Sequence, residues 1–311
     1  MNLSTTGIGK TGKVPDGMYR LDEDSVKRVQ KILLASFNDI QEICEREGLD
    51  YYLGGGSCLG AVRHQGFIPW DDDLDINMSR DDYKKLADAL LREHGDKYIV
   101  LDCLFSKSNF VVHGRIRLKD TKMRLLGDTP GEDGITIDVF KVDNVPDNAI
   151  LRNIHSFGSL LLGFITSCRK FAISSSEYLK LAQDDEGLLK TTKFKIAIGK
   201  ALGFTTAGWW ARRWDKWNAL CKNSSTKCVT VADGRMHYIH EMQKRSDIYP
   251  TKVTKFENTY ARIPNNPDPY LKDLYGDYMT IPPKEKREDH LVYAFDLGPY
   301  DDATQEESHD G

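Results

Sequence analysis

The spacing of hydrophobic residues predicts alternating helices and strands along the first half of the chain. Between Asp22 and Gly48, apolar residues recur every three or four positions, which predicts an amphipathic helix that Asp22 or Asp24 caps and Gly48 ends. Ser79 begins a second predicted helix over 80–94. Short apolar or alternating runs predict strands at 51–53, 74–78, 98–104, 110–118 and 135–142. Together these elements predict an α+β fold.

The pattern changes in the second half of the chain. Residues 150–222 are predicted to be helical, and a strand near 252–263 and a short helix at 268–275 follow them. The longest apolar stretch without Lys, Arg, Asp or Glu, 153–168, has 16 residues. Because a helix needs about 20 residues to cross a bilayer, we expect a buried helix there.

Composition and charge limit the function. A chain of 311 residues can form one large domain or two modest ones. Its 43 Lys and Arg against 47 Asp and Glu argue against a globally basic protein that binds nucleic acid. The charges are unevenly placed, because residues 150–222 hold twelve Lys and Arg against five acidic residues, whereas 300–311 hold five acids and no Lys or Arg.

The cysteines favour a cytoplasmic protein. Six cysteines in a chain that opens without a secretory signal pattern are expected to stay reduced. Cys221, Cys228, His237 and His240 are residue types that bind zinc, but their spacing matches no common zinc finger. We therefore favour ordinary side chains at these four positions over a zinc site.

The most informative segment holds four aspartates within residues 71–75. If this run is a strand, Asp71, Asp73 and Asp75 point to one face, whereas Leu74 and Ile76 point into the core. Crowded carboxylates repel each other, and a divalent cation bound between them removes that repulsion. Carboxylate oxygens suit Mg²⁺ or Mn²⁺, so the pattern predicts such a site. A solvated acidic loop is the alternative.

A glycine-rich turn, 54–57, precedes the acidic run and follows an apolar strand. Such a turn lets backbone N–H groups approach a phosphate closely, although 54–56 could also be only a tight turn. A Gly-Ser turn followed by an Asp-apolar-Asp strand is the pattern of the nucleotidyltransferase fold of the DNA polymerase beta superfamily. That fold usually adds a third carboxylate from a later strand, and Asp138 offers one. The alternative for Asp138 is a turn hydrogen bond at a strand edge.

The run from Leu53 to Ile76 resembles the signature of the LicD family, which includes bacterial phosphorylcholine transferases and is related to fukutin and fukutin-related protein. Residues 135–140 resemble the second acidic strand of that family. Residues 270–283, with Arg287 and His290 beyond them, resemble its C-terminal motif. The resemblance covers about residues 22–292 and is weak over 145–250.

The resemblance implies a mixed sheet flanked by helices, with a mainly helical insert. The predicted units are a flexible lead (1–20), a nucleotidyltransferase-like catalytic core (21–149), a helical acceptor region (150–250), the C-terminal part of the catalytic unit (251–299) and a disordered acidic tail (300–311).

The resemblance also implies an activity. The family transfers a phospho-alcohol from a CDP-linked donor such as CDP-choline to a sugar hydroxyl of a cell-surface glycan or its lipid-linked precursor, and CMP leaves. We assign Asp73 and Asp75 as metal ligands and Asp71 as an auxiliary group, while Asp138 completes the metal site or takes the hydroxyl proton. The alternatives are a nucleotidyltransferase that releases pyrophosphate from a nucleoside triphosphate and a catalytically silent scaffold of the same fold.

Other residues are candidates for substrate binding. Backbone N–H groups of Gly55, Gly56 and Ser57 could hold the donor phosphates, and Arg63 could grip them with its planar fork. Three further residues complete the candidate set: Arg115 and Arg117 as cations facing the phosphates, and Trp70 as a ring that packs on the base or on choline. Surface arginines, a solvated strand face and a core tryptophan are the respective alternatives.

The stretch 193–222 mixes seven Lys and Arg residues with four tryptophans. Such a face could rest on the anionic inner surface of the membrane and reach a lipid-linked glycan. Tryptophans in a core and lysines in water are the ordinary alternative.

Overall fold

In the computed structural model, the residues described are 14, 17–104, 111–125, 128, 133–287 and 290–301. The parts of the predicted lead and tail at 1–13 and 302–311 lie outside them. The helices of the described residues are α1 (Glu23–Glu47), α2 (Gly55–His64), α3 (Arg80–His94), α4 (Ala149–Ile173), α5 (Ser175–Ala182), α6 (Glu186–Ala201), α7 (Ala207–Asn218), α8 (His237–His240), α9 (Arg245–Ile248) and α10 (Pro267–Tyr275).

Their strands are β1 (Tyr19–Arg20), β2 (Tyr51–Leu53), β3 (Leu74–Ser79), β4 (Tyr98–Leu101), β5 (Gly114–Leu118), β6 (Lys122–Leu125), β7 (Thr136–Val145), β8 (Cys228–Val231), β9 (Met242–Lys244), β10 (Lys252–Phe256), β11 (Thr259–Ile263) and β12 (Leu291–Asp296).

The main sheet is mixed and curled, which confirms the predicted α+β fold. Its order is β2-β3-β7-β5-β4, and β8 and β9 extend it from the later part of β7. Strand β7 pairs in parallel with β3 along one edge, whereas antiparallel β5 and then β8 occupy the other edge. The long strand β7 therefore lies at the centre of the fold.

Helices α1 and α3 cover this sheet with the predicted apolar faces. The Asp22 side chain accepts from the N–H of Ser25 and caps α1, and Gly48 ends it with a φ of 65°. Ser79 caps α3 through the N–H of Asp82. Residues from α1, α3 and the sheet form one core cluster, in which Leu33, Phe37 and Leu90 are fully buried. Local periodicity was sufficient to predict both helices and their ends.

Three expectations change in the later part of the chain. The run 252–263 forms a hairpin of two strands, β10 and β11, instead of one strand. Residues 228–244 of the predicted helical region contribute β8 and β9 to the main sheet. The apolar stretch 153–168 lies within α4, and only 22% of the most apolar 18-residue window of that helix is buried. The prediction of a buried helix there is wrong, and among the described helices α4 alone is long and apolar enough to cross a membrane.

A buried network of charges joins α7 to β7 and to the start of α3. The Lys141 ammonium of β7 donates to Asp102 at 3.0 Å and to Asp215 of α7 at 3.2 Å. Arg80, at the start of α3, binds Asp143 of β7 and the same Asp215. The predicted boundary between residues 149 and 150 falls at the start of α4, and the division into units stays a prediction.

Candidate active site

Strands β3 and β7 place two aspartates side by side. Asp75 and Asp138 are partners in the parallel register, and Arg115 of β5 is the partner of Asp138 on the other side. Paired residues of neighbouring strands point to the same face of a sheet, so the three side chains form a row. The predicted proximity of Asp138 to the acidic segment has a structural basis in this register.

Asp71 and Asp73 reach the same place from outside the strand. The sequence places them on the strand with Asp75, but β3 begins only at Leu74. A turn precedes it, in which the Asp71 N–H donates to the carbonyl of Ile68 and the Gln30 amide donates to both the Ile68 and Asp71 carbonyls. The turn folds the acidic segment back, so Asp71 and Asp73 converge without strand geometry.

A histidine from the far end of the chain joins them. Ligand atoms of Asp71, Asp73 and His290 all lie within 4.8 Å of one another. The His290 Nδ1 atom lies 2.6 Å from Oδ1 of Asp72, and its Nε2 atom lies 3.7 Å from Oδ2 of Asp73. Sequence reasoning gave neither Asp72 nor His290 a role. The position of His290 beyond the C-terminal motif was the only signal for it.

The amino end of α2 faces the acids. The glycine segment is the first turn of this helix rather than a loop, with Gly54 as its N-cap. A Cβ at Gly56 would lie 2.7 Å from Oδ2 of Asp71, and one at Gly55, where φ is +39°, would lie 3.1 Å from Oδ2 of Asp75. Glycine therefore lets the carboxylates approach a helix end whose dipole favours negative charge.

The acids perturb one another strongly. Burial and the charge of Asp73 raise the pKa of Asp71 well above its usual value. Burial, followed by the charges of Asp73 and Asp138, does the same to the pKa of Asp75. Burial also raises the pKa of Asp73, although His290 opposes the rise. Three neighbouring carboxyls with raised pKa values form a site that gains from a bound cation.

Asp138 behaves differently from the other three acids. Burial alone would raise its pKa, but Arg115 and His113 lower it to about 2. His113 lies 3.5 Å from Asp138 through Nε2 and 3.2 Å from Asp233 through Nδ1. Asp138 is therefore ionised at neutral pH and held between cationic groups.

The structure gives the residues predicted to bind phosphate different surroundings. The Gly55 N–H donates to the Tyr270 hydroxyl at 2.9 Å, and the buried Ser57 hydroxyl accepts from the Asp75 N–H at 2.8 Å. Ser57 thus holds β3 against α2. Arg63 donates to the carbonyl of Tyr278 at 2.6 Å and lines the cavity described below.

Arg115 and Arg117 share one face of β5, as predicted. Both approach Asp128, at 2.6 Å and 3.2 Å, and Arg117 is buried. Arg115 also lies 3.6 Å from Asp138. Among the described residues, these two arginines form ion pairs with the acids Asp128 and Asp138, and neither arginine lines the cavity.

Trp70 lies beside the acidic segment with a cation already over its ring. The guanidinium of Arg287 is 4.0 Å from the ring centroid, and His64 meets the ring edge-on. Arg287 lies just beyond the C-terminal motif, and the sequence assigned it no role.

A cavity of about 440 Å³ opens over the acids. Its lining combines acidic, aromatic and basic side chains. From the predicted set it includes Gly55, Gly56, Arg63, Trp70, Asp71, Asp73 and Asp75, and it adds Phe140, Arg235, Glu241, Tyr270, Tyr275, Tyr278 and His290. Arg235 stacks over Tyr275 at 5.7 Å. Burial raises the pKa of Glu241 to about 7.

The donor set fits a divalent metal ion. Oδ1 of Asp138 is buried without a hydrogen-bond partner, although such an atom usually has one. Oxygen donors with one histidine are compatible with Mg²⁺ or Mn²⁺. Among the described residues, Cys221, Cys228, His237 and His240 do not converge in this way.

Comparison with known proteins agrees with this geometry. Residues 48–149 match the LicD/FKTN/FKRP nucleotidyltransferase domain. The lipopolysaccharide cholinephosphotransferase LicD of Haemophilus influenzae is 25% identical over 287 residues, which cover 86% of this chain and 96% of that protein. The human ribitol 5-phosphate transferase FKRP is 48% identical over 40 residues, or 13% of this chain and 8% of FKRP. The resemblance seen in the sequence motifs is confirmed.

Proposed function

We propose that this chain is a metal-dependent phosphotransferase. The match of residues 48–149 to the LicD/FKTN/FKRP nucleotidyltransferase domain supports this proposal. It moves phosphocholine or a similar phospho-alcohol from a CDP-linked donor to a sugar hydroxyl of a cell-surface glycan or its lipid-linked precursor, and it releases CMP. Transfer of a phosphate-containing group is common to both named relatives, one of which transfers choline phosphate and the other ribitol 5-phosphate. CDP-choline is the donor we favour, because the relative that aligns over most of the chain is named for choline phosphate.

The register of Asp75 with Asp138 carries the proposal. Two carboxylates side by side on parallel strands, with Asp71 and Asp73 folded against them, concentrate negative charge beside a cavity that Asp71, Asp73 and Asp75 line. Mg²⁺ or Mn²⁺ held by these acids would neutralise the donor pyrophosphate and stabilise the charge that develops on the departing CMP. A silent scaffold would gain nothing from this crowding.

The surrounding residues suit a pyrophosphate donor. The amino end of α2 at Gly55 and Gly56 and the guanidinium of Arg63 line the same cavity and favour anionic oxygens. His290, whose pKa is raised well above its usual value by Asp72 and Asp73 against the effect of burial, holds the acidic segment in place. Phe140, Tyr270 and Tyr275 offer aromatic walls to the base or the alcohol.

Asp138 suits a metal ligand better than a general base. An efficient base at neutral pH has a pKa near that pH, whereas Arg115 and His113 hold the pKa of Asp138 at about 2. Its buried Oδ1 atom, which lacks a hydrogen-bond partner, supports the same role.

Product analysis separates the proposal from a nucleotidyltransferase that uses nucleoside triphosphates. Purified protein would be incubated with Mg²⁺ and either CDP-choline, CDP-ribitol, CDP-glycerol or CTP, and the nucleotide products and pyrophosphate would be measured. We expect CMP from one CDP-alcohol, and we expect Asp75→Asn to abolish it while Asp88→Asn, an exposed change on α3, leaves it intact. Pyrophosphate from CTP without CMP from any CDP-alcohol would refute phospho-alcohol transfer.

The place of action and the acceptor follow as proposals. We place the reaction in the cytoplasm, where CTP-derived donors are made, with the helical region 150–250 next to the acceptor. A glycan built on a lipid carrier would bring the acceptor to the inner face of the membrane.

A further inference from the structure

Helix α4 has its large apolar side chains on the outside. Six of them form what we call the α4 apolar face: Ile150, Leu151, Ile154, Phe157, Leu160 and Leu161. Ile150 is 71% exposed and Phe157 is 69% exposed. Ile150, Ile154, Phe157 and Leu161 recur at the spacing of one helical stripe, so they form a continuous strip along three turns.

The inward face of α4 is small and polar instead. His155 bonds the Tyr238 hydroxyl and the Trp217 carbonyl, and Ser159 accepts from the Trp214 indole. A Cβ at Gly158 would lie 2.2 Å from the Trp217 ring, so glycine is required for that approach. Helices of water-soluble domains put their apolar side inward, whereas helices in contact with lipid often pack through small residues.

Within the described residues, α6 covers only part of α4. Helix α6 packs on the C-terminal half of α4, where Gly199 approaches the carbonyl of Cys168. The N-terminal half, which carries the α4 apolar face, has no such cover from the described residues. Its contiguous large side chains make it the kind of patch that marks an interaction surface.

Two of the helices that pack against α4, α6 and α7, carry exposed cations and aromatic rings. On α6 the exposed residues include Lys193, Phe194 and Lys200, and on α7 they include Trp209, Arg213 and Lys216. The acid within α7, Asp215, is buried against Arg80 and Lys141. An apolar strip on a helical region, 150–222, that holds twelve Lys and Arg against five acidic residues matches the interface of an anionic bilayer, where acyl chains lie beneath negative headgroups.

We infer that the α4 apolar face is a docking surface for anionic lipid bilayers, with α4 lying in the interface plane. The helix does not span the bilayer in this arrangement, because its opposite face is filled by α7 and α8. A second copy of the chain is a poorer occupant, because a two-fold interface would bring the same basic surroundings together. The inference stands independently of the proposed activity, since it uses no residue of the cavity.

Flotation of the purified full-length protein with vesicles tests the inference. Vesicles of phosphatidylglycerol and phosphatidylcholine at 7:3 would be compared with vesicles of phosphatidylcholine alone. The double variant Ile154→Ser/Phe157→Ser removes the centre of the strip. Its matched control, Val253→Ser/Tyr260→Ser, removes two equally exposed apolar side chains from the β10–β11 hairpin.

We expect the wild type and the hairpin variant to float with the anionic vesicles and the α4 variant to bind at least tenfold more weakly. Unchanged unfolding temperature and near-ultraviolet circular dichroism would establish that the α4 variant is folded. If the α4 variant unfolds, Phe157→Leu, which keeps the surface apolar, and Phe157→Gln supply the comparison. Wild-type protein that stays with neither vesicle, or an α4 variant that floats like the wild type, overturns the inference. A concentration-dependent dimer that these substitutions disperse also overturns it.

Discussion

Removing one carboxylate from the acidic site should stabilise the metal-free protein while abolishing its response to metal. Asp75→Asn keeps the size of the side chain and one acceptor oxygen. Because Asp75 and Asp138 are register partners on adjacent strands, their backbones lie about 5 Å apart, and we take the same separation for their carboxylates. At an effective dielectric constant of about 20, two unit charges at that distance repel by about 3 kcal/mol, which is an upper bound for this pair, because the raised pKa of Asp75 lets protonation relieve part of the repulsion.

This repulsion disappears in the variant. At roughly 2 °C per kcal/mol for a chain of this size, we expect its unfolding temperature in EDTA at pH 7.5 to rise by up to about 6 °C. Titration of Mg²⁺ should then raise the unfolding temperature of the wild type by mass action but leave that of Asp75→Asn nearly unchanged. Asp88→Asn should match the wild type in both conditions, because Asp88 is exposed on α3.

Thermal unfolding followed by circular dichroism measures both effects. The electrostatic reasoning is refuted if Asp75→Asn unfolds at a lower temperature than the wild type in EDTA. It is also refuted if the variant responds to Mg²⁺ as strongly as the wild type does, since Asp75 would then be a structural acid.

Three further changes test other parts of the structure. Gly56→Ala should weaken the affinity for Mg²⁺, measured by thermal stabilisation, at least tenfold, because its Cβ would lie 2.7 Å from Oδ2 of Asp71. The control Gly187→Ala on α6 should leave that affinity unchanged. Equal Mg²⁺ titrations of the two variants would contradict this prediction. Lys141→Met should cost about 3–5 kcal/mol in urea unfolding, because it leaves buried carboxylates without their ammonium partner, and a loss below about 1 kcal/mol would argue against the network. The folded pKa of Glu241, about 7, exceeds its ordinary value of 4.5, so its contribution to stability is complete below pH 4.5 and is lost as pH rises through 7. Glu241→Gln, which does not titrate, should therefore gain about 3 kcal/mol relative to the wild type between pH 4.5 and pH 8, and a pH-independent difference in urea unfolding would show that Glu241 does not titrate in this range.

The sequence predicted the elements whose signals are local. The helices α1 and α3 were found with their caps because a three- to four-residue repeat and a flanking Asp, Ser or Gly are read within one short window. The strand β7 and its acid were found because an aspartate among alternating apolar residues is conspicuous.

The rest of the site depends on contacts that no local pattern shows. His290 meets Asp72 across 218 positions in the sequence, and Arg287 reaches Trp70 in the same way. Alternation alone suggested that Asp71 and Asp73 are strand residues, but the turn held by Gln30, a residue of α1, decides otherwise. The outward apolar face of α4 was missed because a charge-free stretch indicates how apolar a helix is but not which side is covered.

Strand β7 has a consequence for protein engineering. Because side chains alternate along a strand, Asp138 points to one face of the sheet, whereas Lys141 and Asp143 point to the other. The second face is where Asp215 of α7 completes the network with Arg80 and Lys141. A chimera that borrows the helical region of a relative must therefore bring a carboxylate to position 215. Without that carboxylate, the buried ammonium of Lys141 and the guanidinium of Arg80 would each lose a partner. Lys141 lies three residues from Asp138 on the same strand, so the loss would fall next to the candidate site.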